Sequence, residues 1–381
     1  MEKSSLVIGI IKEVISTETR VAATPKTVKS MTKNGFKVIV EAGAGSGSYT
    51  SDKEYEQAGA KIGEVYNSAD IVLGINTPQI HPKTSKHQID MLKDGACWIS
   101  MLVPDLELET IKKCVKKKIT LFSLNLIPRI SRAQSMDVLS SQSNIAGYKA
   151  VIMGANELGK LFPLMMTAAG TIHPAKVVIL GAGVAGLQAI ATAQRLGSKV
   201  EVSDVRPEVK EQVESLGAQF IDVGFDKNAS DKQGYAKQAS KEYLKKQTEE
   251  VKKRIANADV VITTALVAGK KAPVLITEDM VKSMSHGSVI VDLAAVQGGN
   301  CALTEPNKIV VKNGVKIIGY TNIPGTVPIH STQMFSSNIL AFLLNITKEG
   351  KLNIDNEDYI TSSTLITKDG KIVNEKIRGY K

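Results

Sequence analysis

"VVILGAGVAGLQAIATAQRLGSKVEVSDVRPE" spans Val177–Glu208, and its reading decides the fold. It begins as a short, continuous apolar run, passes through Gly181, Gly183 and Gly186, and becomes a helical pattern. The spacing is G-x-G-x-x-G, set directly after a strand and at the opening of a helix. Each glycine has its own reason. Gly181 permits a tight turn, Gly183 lets the backbone approach a pyrophosphate, and Gly186 lets the helix pack on the strand. The helix start, Gly183-Val184-Ala185-Gly186, offers unpaired N–H groups and a positive dipole end to phosphates. Asp204, 18 residues beyond Gly186, ends the next strand, where its carboxylate can accept hydrogen bonds from ribose hydroxyls. Glycines alone also fit an ordinary tight turn. Strand, helix and acidic residue together read as a dinucleotide site. Asp204 repels a 2′-phosphate and favours NAD(H) over NADP(H), whereas Arg206 beside it is a residue type that can accommodate that phosphate.

The alternation continues on both sides of the motif. "AKVVILGAG", "SKVEVSDV", "AQFIDV", "DVVITTAL", "GSVIVDLAA" and "VKIIGYTN" are strand candidates between Ala175 and Asn322. Upstream, "LVIGIIKE", "FKVIVEAG", "DIVLGI", "ACWISML" and "ITLFSLNLI" repeat the theme, with helical stretches such as Thr24–Gly35 between them. Continuous apolar strands separated by helices imply parallel sheets covered on both faces. "NIPGTVPIH" (Asn322–His330) marks the end of the second unit. A helical run over Ser331–Thr347 and a tail with a Lys-Asp-Gly turn follow, and these return to complete the first unit. The expected fold is α/β, with two Rossmann-like doubly wound parallel-sheet domains. The first, residues 1–138 plus 328–381, is discontinuous; the second is 139–327.

A chain of 381 residues, 43% apolar and 23% charged, suits two globular domains. No apolar run reaches the roughly 18 residues of a membrane helix, so no direct membrane insertion is expected. No signal peptide is visible. The three cysteines lack metal-like spacing, which predicts no metal site and a reducing cytoplasm. A net charge of +10 raises the question of nucleic acid, but aromatic residues are only 4%. The densest basic stretch, Lys227–Arg254, interleaves acids with its lysines and reads as a solvated helix behind a loop. The five histidines (His81, His87, His173, His286, His330) sit in polar loops or beside turns, not in strand-end settings typical of a catalytic base.

A second stretch stands out. "PRISRAQSMDVLSSQSNIAGYKAV" (Pro128–Val151) gathers Arg129, Gln134, Asp137 and Ser140 between a strand and a helix. On its residue types it supports two readings. Asp137 or Ser140 can cap the following helix. Alternatively, Arg donors, an Asp acceptor and a Gln offering both suit a planar carboxamide.

Together "EVISTETRVAATP" (Glu13–Pro25), "VEAGAGSGSYTSD" (Val40–Asp52), "LGAGVAGLQAI", "TTALVAGKKAPVLIT" and "VDLAAVQGGNC" resemble the alanine dehydrogenase and nicotinamide nucleotide transhydrogenase superfamily. The Pro128–Val151 stretch resembles the loop of the NAD(H)-binding component of proton-translocating transhydrogenases. The resemblance covers nearly the whole chain. It implies hydride transfer between NAD(H) on this chain and NADP(H) on a partner beta subunit. It also implies a separate membrane-spanning alpha chain, proton translocation and a homodimer held on the cytoplasmic face of the inner membrane by its partners. Because this chain ends at Lys381, membrane segments are expected from other chains.

The resemblance carries site roles too. Arg129, Gln134, Asp137 and Ser140 would position the nicotinamide. Val184, Ala185, Asp204, Val205, Arg206, Gly234 and Leu266 would contact the nucleotide beside the three glycines. Gly234-Tyr235-Ala236 corresponds to a mobile loop that closes over it; on its own residues the same stretch also fits an exposed loop. Transfer between two nicotinamides moves no separate proton, so no catalytic histidine is required. The alternative, a stand-alone alanine dehydrogenase, needs a strand-end lysine and histidine. The matching stretches, "LGINTPQ" and "SMLVPD", carry Gly74, Asn76 and Leu102 instead. Arg20 of the shared R-V-A-x-T-P pattern remains. A non-enzymatic NAD(H) sensor would keep the glycines and Asp204 but has no need of Arg129, Gln134 and Asp137.

Overall fold

Thr24 shows how the local sequence opens an element. Its hydroxyl accepts from the Thr27 N–H, the Thr27 hydroxyl accepts from the Thr24 N–H, and Pro25 occupies the first turn of the helix Pro25–Lys33. Gly35 at φ +86° ends that helix as expected. The computed structural model describes residues 5–222, 241–267, 269–375 and 377. The chain forms two compact units, Met1–Gln142 with Gly325–Lys381, and Ser143–Pro324.

Among the described residues, the first unit's main sheet has eight strands. Their order is Lys371–Ile372, Leu365–Lys368, Thr120–Ser123, Cys97–Ser100, Ile71–Leu73, Val7–Ile10, Lys37–Val40, Lys61–Ile62. All neighbours from Thr120–Ser123 to Lys61–Ile62 are parallel. Ile71 and Leu73 pack on one side with Phe335, Ile339 and Phe342, while Val72 packs on the other with Trp98 and Ile111. The continuous apolar run follows from burial on both faces. The helix Pro328–Asn345 returns to this core, with Phe342 edge-on to Phe122 at 5.4 Å. Leu365–Lys368 then pairs antiparallel with Thr120–Ser123 and with Lys371–Ile372. Asp369 and Gly370 at φ +51° and +74° form the tight hairpin turn. The first unit is thus discontinuous and completed by the C-terminal helix and tail.

The second unit's sheet runs Gln219–Phe220, Lys199–Ser203, Lys176–Leu180, Val260–Thr263, Val289–Asp292, Val315–Ile318, Ile309–Lys312. Among these described strands, the last pair alone is antiparallel. The chain steps outward in both directions from Lys176–Leu180, which puts a topological switch point at that strand's C-terminal end. The two doubly wound sheets agree with the fold expected from sequence. Ile309–Lys312 was not anticipated: its apolar run, Ile309-Val310-Val311, is only three residues long, with Ile309 and Val311 exposed and Val310 half-buried. Its signal was Asn313-Gly314, both at positive φ, a hairpin dipeptide. The small hairpins Met165–Thr167 with Gly170–Ile172, and Thr347–Lys348 with Lys351–Leu352, also escaped the sequence reading. The basic stretch contributes the helix Lys241–Ala256; residues 227–240 lie outside the described residues.

Candidate functional site

The glycine turn joins Lys176–Leu180 to the helix Val184–Arg195. Gly181 sits at φ +104°, and a Cβ there would stand 2.4 Å from Thr264 Oγ1. A Cβ on Gly186 would stand 1.9 Å from the Gly181 carbonyl oxygen, so this position closes the helix against the turn. Gly183 differs. Among the described residues, a Cβ there would meet no heavy atom within 4 Å, and no side chain caps the helix that follows. Open space above backbone N–H groups at a helix start suits an anion. Val184, partly exposed, and Ala185 form the first turn beside it. From the helix Val138–Glu157, Gly147 approaches so closely that its Cβ would lie 2.0 Å from the Ala185 carbonyl oxygen.

Asp204 directly follows the neighbouring strand Lys199–Ser203 and is buried. Its carboxylate accepts from the Ala182 N–H at 2.7 Å, which braces the glycine turn from the side. It also accepts from the Arg206 N–H at 2.9 Å, Arg206 Nε at 3.0 Å and Arg206 Nη2 at 2.9 Å. These donors fill the roughly four lone-pair directions of a carboxylate. To accept ribose hydroxyls, Asp204 must share or release the guanidinium. The same hydrogen bonds hold Arg206 more firmly protonated against the opposing effect of burial. Val205, between them, is half-buried.

Two supporting residues were missed by sequence reasoning. Thr264 follows Val260–Thr263; its hydroxyl donates to the carbonyls of Leu180 and Gly181 at 3.3 and 3.1 Å. Asn300 is fully buried and both donates to and accepts from the backbone of Ala265. It thereby fixes the segment that presents the half-exposed Leu266. Both lie in stretches quoted for the family resemblance, but a lone Thr or Asn has no spacing signal. In this unit Gly181, Gly183, Val184, Ala185, Gly186, Asp204, Val205, Arg206 and Leu266 gather at the C-terminal ends of adjacent strands. Gly234, Tyr235 and Ala236, the expected closing loop, lie outside the described residues.

In the first unit, Arg129, Gln134, Asp137 and Ser140 follow one another into the helix Val138–Glu157. A 3-10 turn over Ser131–Met136 carries Gln134 with its side chain exposed, and Arg129 is exposed too. Asp137 accepts from the Ser140 N–H at 2.9 Å and the Ser140 hydroxyl at 2.6 Å. It therefore caps the helix, one of the two roles its sequence position allowed.

Arg20 and Asn76, two of the positions weighed above, are joined in one polar network with Glu13 and Glu18. Arg20 makes a two-pronged bond to Glu18 through Nε at 2.7 Å and Nη2 at 2.6 Å. Its Nη1 donates to Gln142 Oε1 at 2.8 Å. The Asn76 amide donates to Glu13 and Glu18, each at 3.0 Å, and Glu13 also accepts from the Ile75 N–H. Leu102 is buried. Burial pushes the Glu13 carboxyl up to about 7. Burial also raises Glu18, but the Arg20 hydrogen bonds and charge outweigh it and leave that carboxyl below its usual range. Arg20 has its charge matched internally, and among the described residues the network holds no lysine or histidine for proton transfer.

Residues 9–146 match the family model "Alanine dehydrogenase/PNT, N-terminal domain", and residues 150–375 match its C-terminal domain. Over 380 residues the chain is 48% identical to the first part of NAD(P) transhydrogenase subunit alpha of Rhodospirillum rubrum, covering 98% of this chain and 99% of that one. It is 30% identical over 384 residues to the alanine dehydrogenase of Methanococcus maripaludis, covering 98% and 95%. The crystal structure of transhydrogenase from Sinorhizobium meliloti aligns with a TM-score of 0.84 at 40% identity, covering 97% and 99%. No helix among the described residues is long and apolar enough to cross a membrane. By both domain models and by identity across its length, the chain belongs to the alanine dehydrogenase/PNT family.

Proposed function

We propose that this chain is the NAD(H)-binding component of a proton-translocating nicotinamide nucleotide transhydrogenase. When bound, NAD(H) supplies or receives a hydride at its nicotinamide, with NADP(H) on a partner beta subunit as the other party. The chain works as a homodimer on the cytoplasmic face of the inner membrane, with a separate membrane-spanning alpha chain completing the complex and its proton path.

The observation that carries this reading is the closed network around Arg20. Its guanidinium is paired with Glu18, and by the family match Asn76 and Leu102 take the places of an alanine dehydrogenase's lysine and histidine. Without that lysine and histidine, amino-acid oxidation lacks the acid/base pair on which an alanine dehydrogenase relies, whereas transfer between two nicotinamides needs none. The open ground at Gly183 and the uncapped helix start fit a dinucleotide's phosphates. Asp204 receives the ribose as Arg206 gives way. Gln134 and Arg129 hydrogen-bond the carboxamide, and Asp137 and Ser140 hold the helix start behind them. Leu266 and Val184 supply apolar contact. These groups bind and orient; none takes a proton.

The test combines a titration with two activity assays. The purified chain should bind NADH, give no turnover with alanine and NAD, and support NADH-to-NADP transhydrogenation when the NADP(H)-binding partner is added. Steady alanine oxidation by the chain alone would overturn the proposal.

A further inference from the structure

The turn that carries Gln134 has little to hold its shape from within. Ser131–Met136 is six residues of 3-10 helix, and such helices rarely run beyond three or four because their hydrogen bonds are poorly aligned. Its geometry must come from what it packs on. Ala133 and Met136 enter the core formed with Phe335, Ile339 and Phe342. The Asn338 amide donates to the Ser135 carbonyl at 2.8 Å. Arg132 donates to Asn345 Oδ1 at 3.2 Å and pairs with Asp358.

These partners are themselves connected. Asn338 and Asn345 stand seven residues apart on the helix Pro328–Asn345, two turns along one face. The Asn345 amide donates to Asp358 Oδ2 at 3.0 Å. Asp358 caps the helix Tyr359–Thr364 by accepting from the Thr361 N–H at 3.0 Å and the Thr361 hydroxyl at 2.7 Å. Burial works to raise this carboxyl, but its bonds with Asn345, Thr361 and Arg132 hold it far below the usual range. A further detail marks Asn338. Its Oδ1 is buried without a hydrogen-bond partner among the described residues, an unfavourable state that an apolar residue of similar size would avoid. Packing does not explain an amide there; the bond to Ser135 does.

The result is specific to Gln134. The residue before it is anchored by burial, the carbonyl of the residue after it by Asn338, and its own side chain is left exposed. We propose that Asn338, Asn345 and Asp358 of the returning C-terminal segment, with Arg132 of the turn as their partner, are positioning residues: a clamp that fixes the backbone on both sides of Gln134. The inference rests on the reading of Gln134 as a nicotinamide-orienting group. It adds that this orientation is set from residues more than 200 positions away. A misplacement of about 1 Å at such a group can lower a rate about 100-fold, so the clamp acts on turnover, not on affinity.

The experiment measures NADH-to-NADP hydride transfer with the partner subunit, NADH affinity and melting temperature for Asn338→Leu, Arg132→Ala, Arg132→Lys and Gln134→Ala, and for the double variants. Asn338→Leu and Arg132→Ala should each lower kcat by about 10-fold or more, with the NADH Kd changed less than about 2-fold. Arg132→Lys should recover part of the loss. The deciding result is coupling: in a Gln134→Ala background, Asn338→Leu should have almost no further effect. Equal losses in both backgrounds would overturn the clamp, as would unchanged kcat in the single variants. If Asn338→Leu fails to fold, Arg132→Ala, at a more exposed position, carries the same comparison. If Gln134→Ala itself leaves the rate unchanged, the reading of Gln134 fails first and the clamp with it.

Discussion

The glycine turn at Gly181–Gly186 and the polar stretch at Pro128–Ser140 both present candidate binding groups, but they are built in opposite ways. The turn is specified mainly by its own residues. A positive φ at Gly181 and a 1.9 Å approach at Gly186 can be met only without a side chain, and Thr264 and Asp204 add braces from neighbouring strands. The polar stretch has no such internal rule. Its shape comes from Asn338, Asn345 and Asp358, delivered by a segment that follows the entire second unit. Where backbone sterics dictate structure, a change acts at once and locally. Where distant side chains dictate it, a change can spare the fold and still misplace a group.

The largest expected effect tests the first half of that contrast. Gly186→Ala should destabilise the chain by about 3 kcal/mol and abolish measurable NADH binding, read by thermal melting and a binding titration. Gly147→Ala lies outside the motif yet meets the Ala185 carbonyl at 2.0 Å and should behave alike. A well-folded, NADH-binding Gly186→Ala would break the comparison. Next comes Gln134→Ala, for which hydride transfer with the partner should fall about 100-fold while NADH affinity changes less than about 2-fold. A parallel loss of affinity would place Gln134 with the glycine turn in kind.

Asp204→Asn should weaken NADH binding by about 10-fold, because one charged acceptor is lost and Arg206 is released. It should also narrow the preference for NADH over NADPH, and an unchanged preference would remove Asp204 from the ribose role. The smallest effect concerns Glu13. An acid whose pKa is raised on folding holds its proton more tightly when folded. Its stabilising contribution is complete below about pH 4.5 and is lost as pH rises through about 7. Relative to wild type, Glu13→Gln should therefore gain a few degrees in melting temperature between about pH 5 and 8. A constant difference across that range would show that Glu13 titrates normally.

The same contrast explains what was legible in the sequence. Strands such as Ile71–Leu73 and Val260–Thr263 announced themselves because burial on both faces leaves an unbroken apolar run. The glycine turn was legible because its spacing encodes its sterics. Ile309–Lys312 and the Met165–Ile172 hairpin were not, since their strands are short and largely exposed and carry at most three apolar residues in a row, although Asn313-Gly314 offered a turn signal. The bidentate hold of Arg206 on Asp204 was also invisible, because residue spacing does not fix which way an arginine side chain turns. The clamp on Gln134 had no sequence signature at all. Its members on the returning segment are an Asn, an Asn and an Asp scattered through a helix and a cap, and only the fold brings them together.

The antiparallel strand Leu365–Lys368 has a consequence for how the chain is made. Synthesis delivers residues in order, so the ribosome releases the whole of Ser143–Pro324 before the piece that finishes the first unit. Until Leu365–Lys368 emerges, Thr120–Ser123 is an edge with unsatisfied backbone groups and one side of its core uncovered by Phe342. The nascent chain therefore passes through a stage in which the second unit can be complete and the first is adhesive. Slowing elongation after residue 324 is therefore expected to lower the yield of native chain.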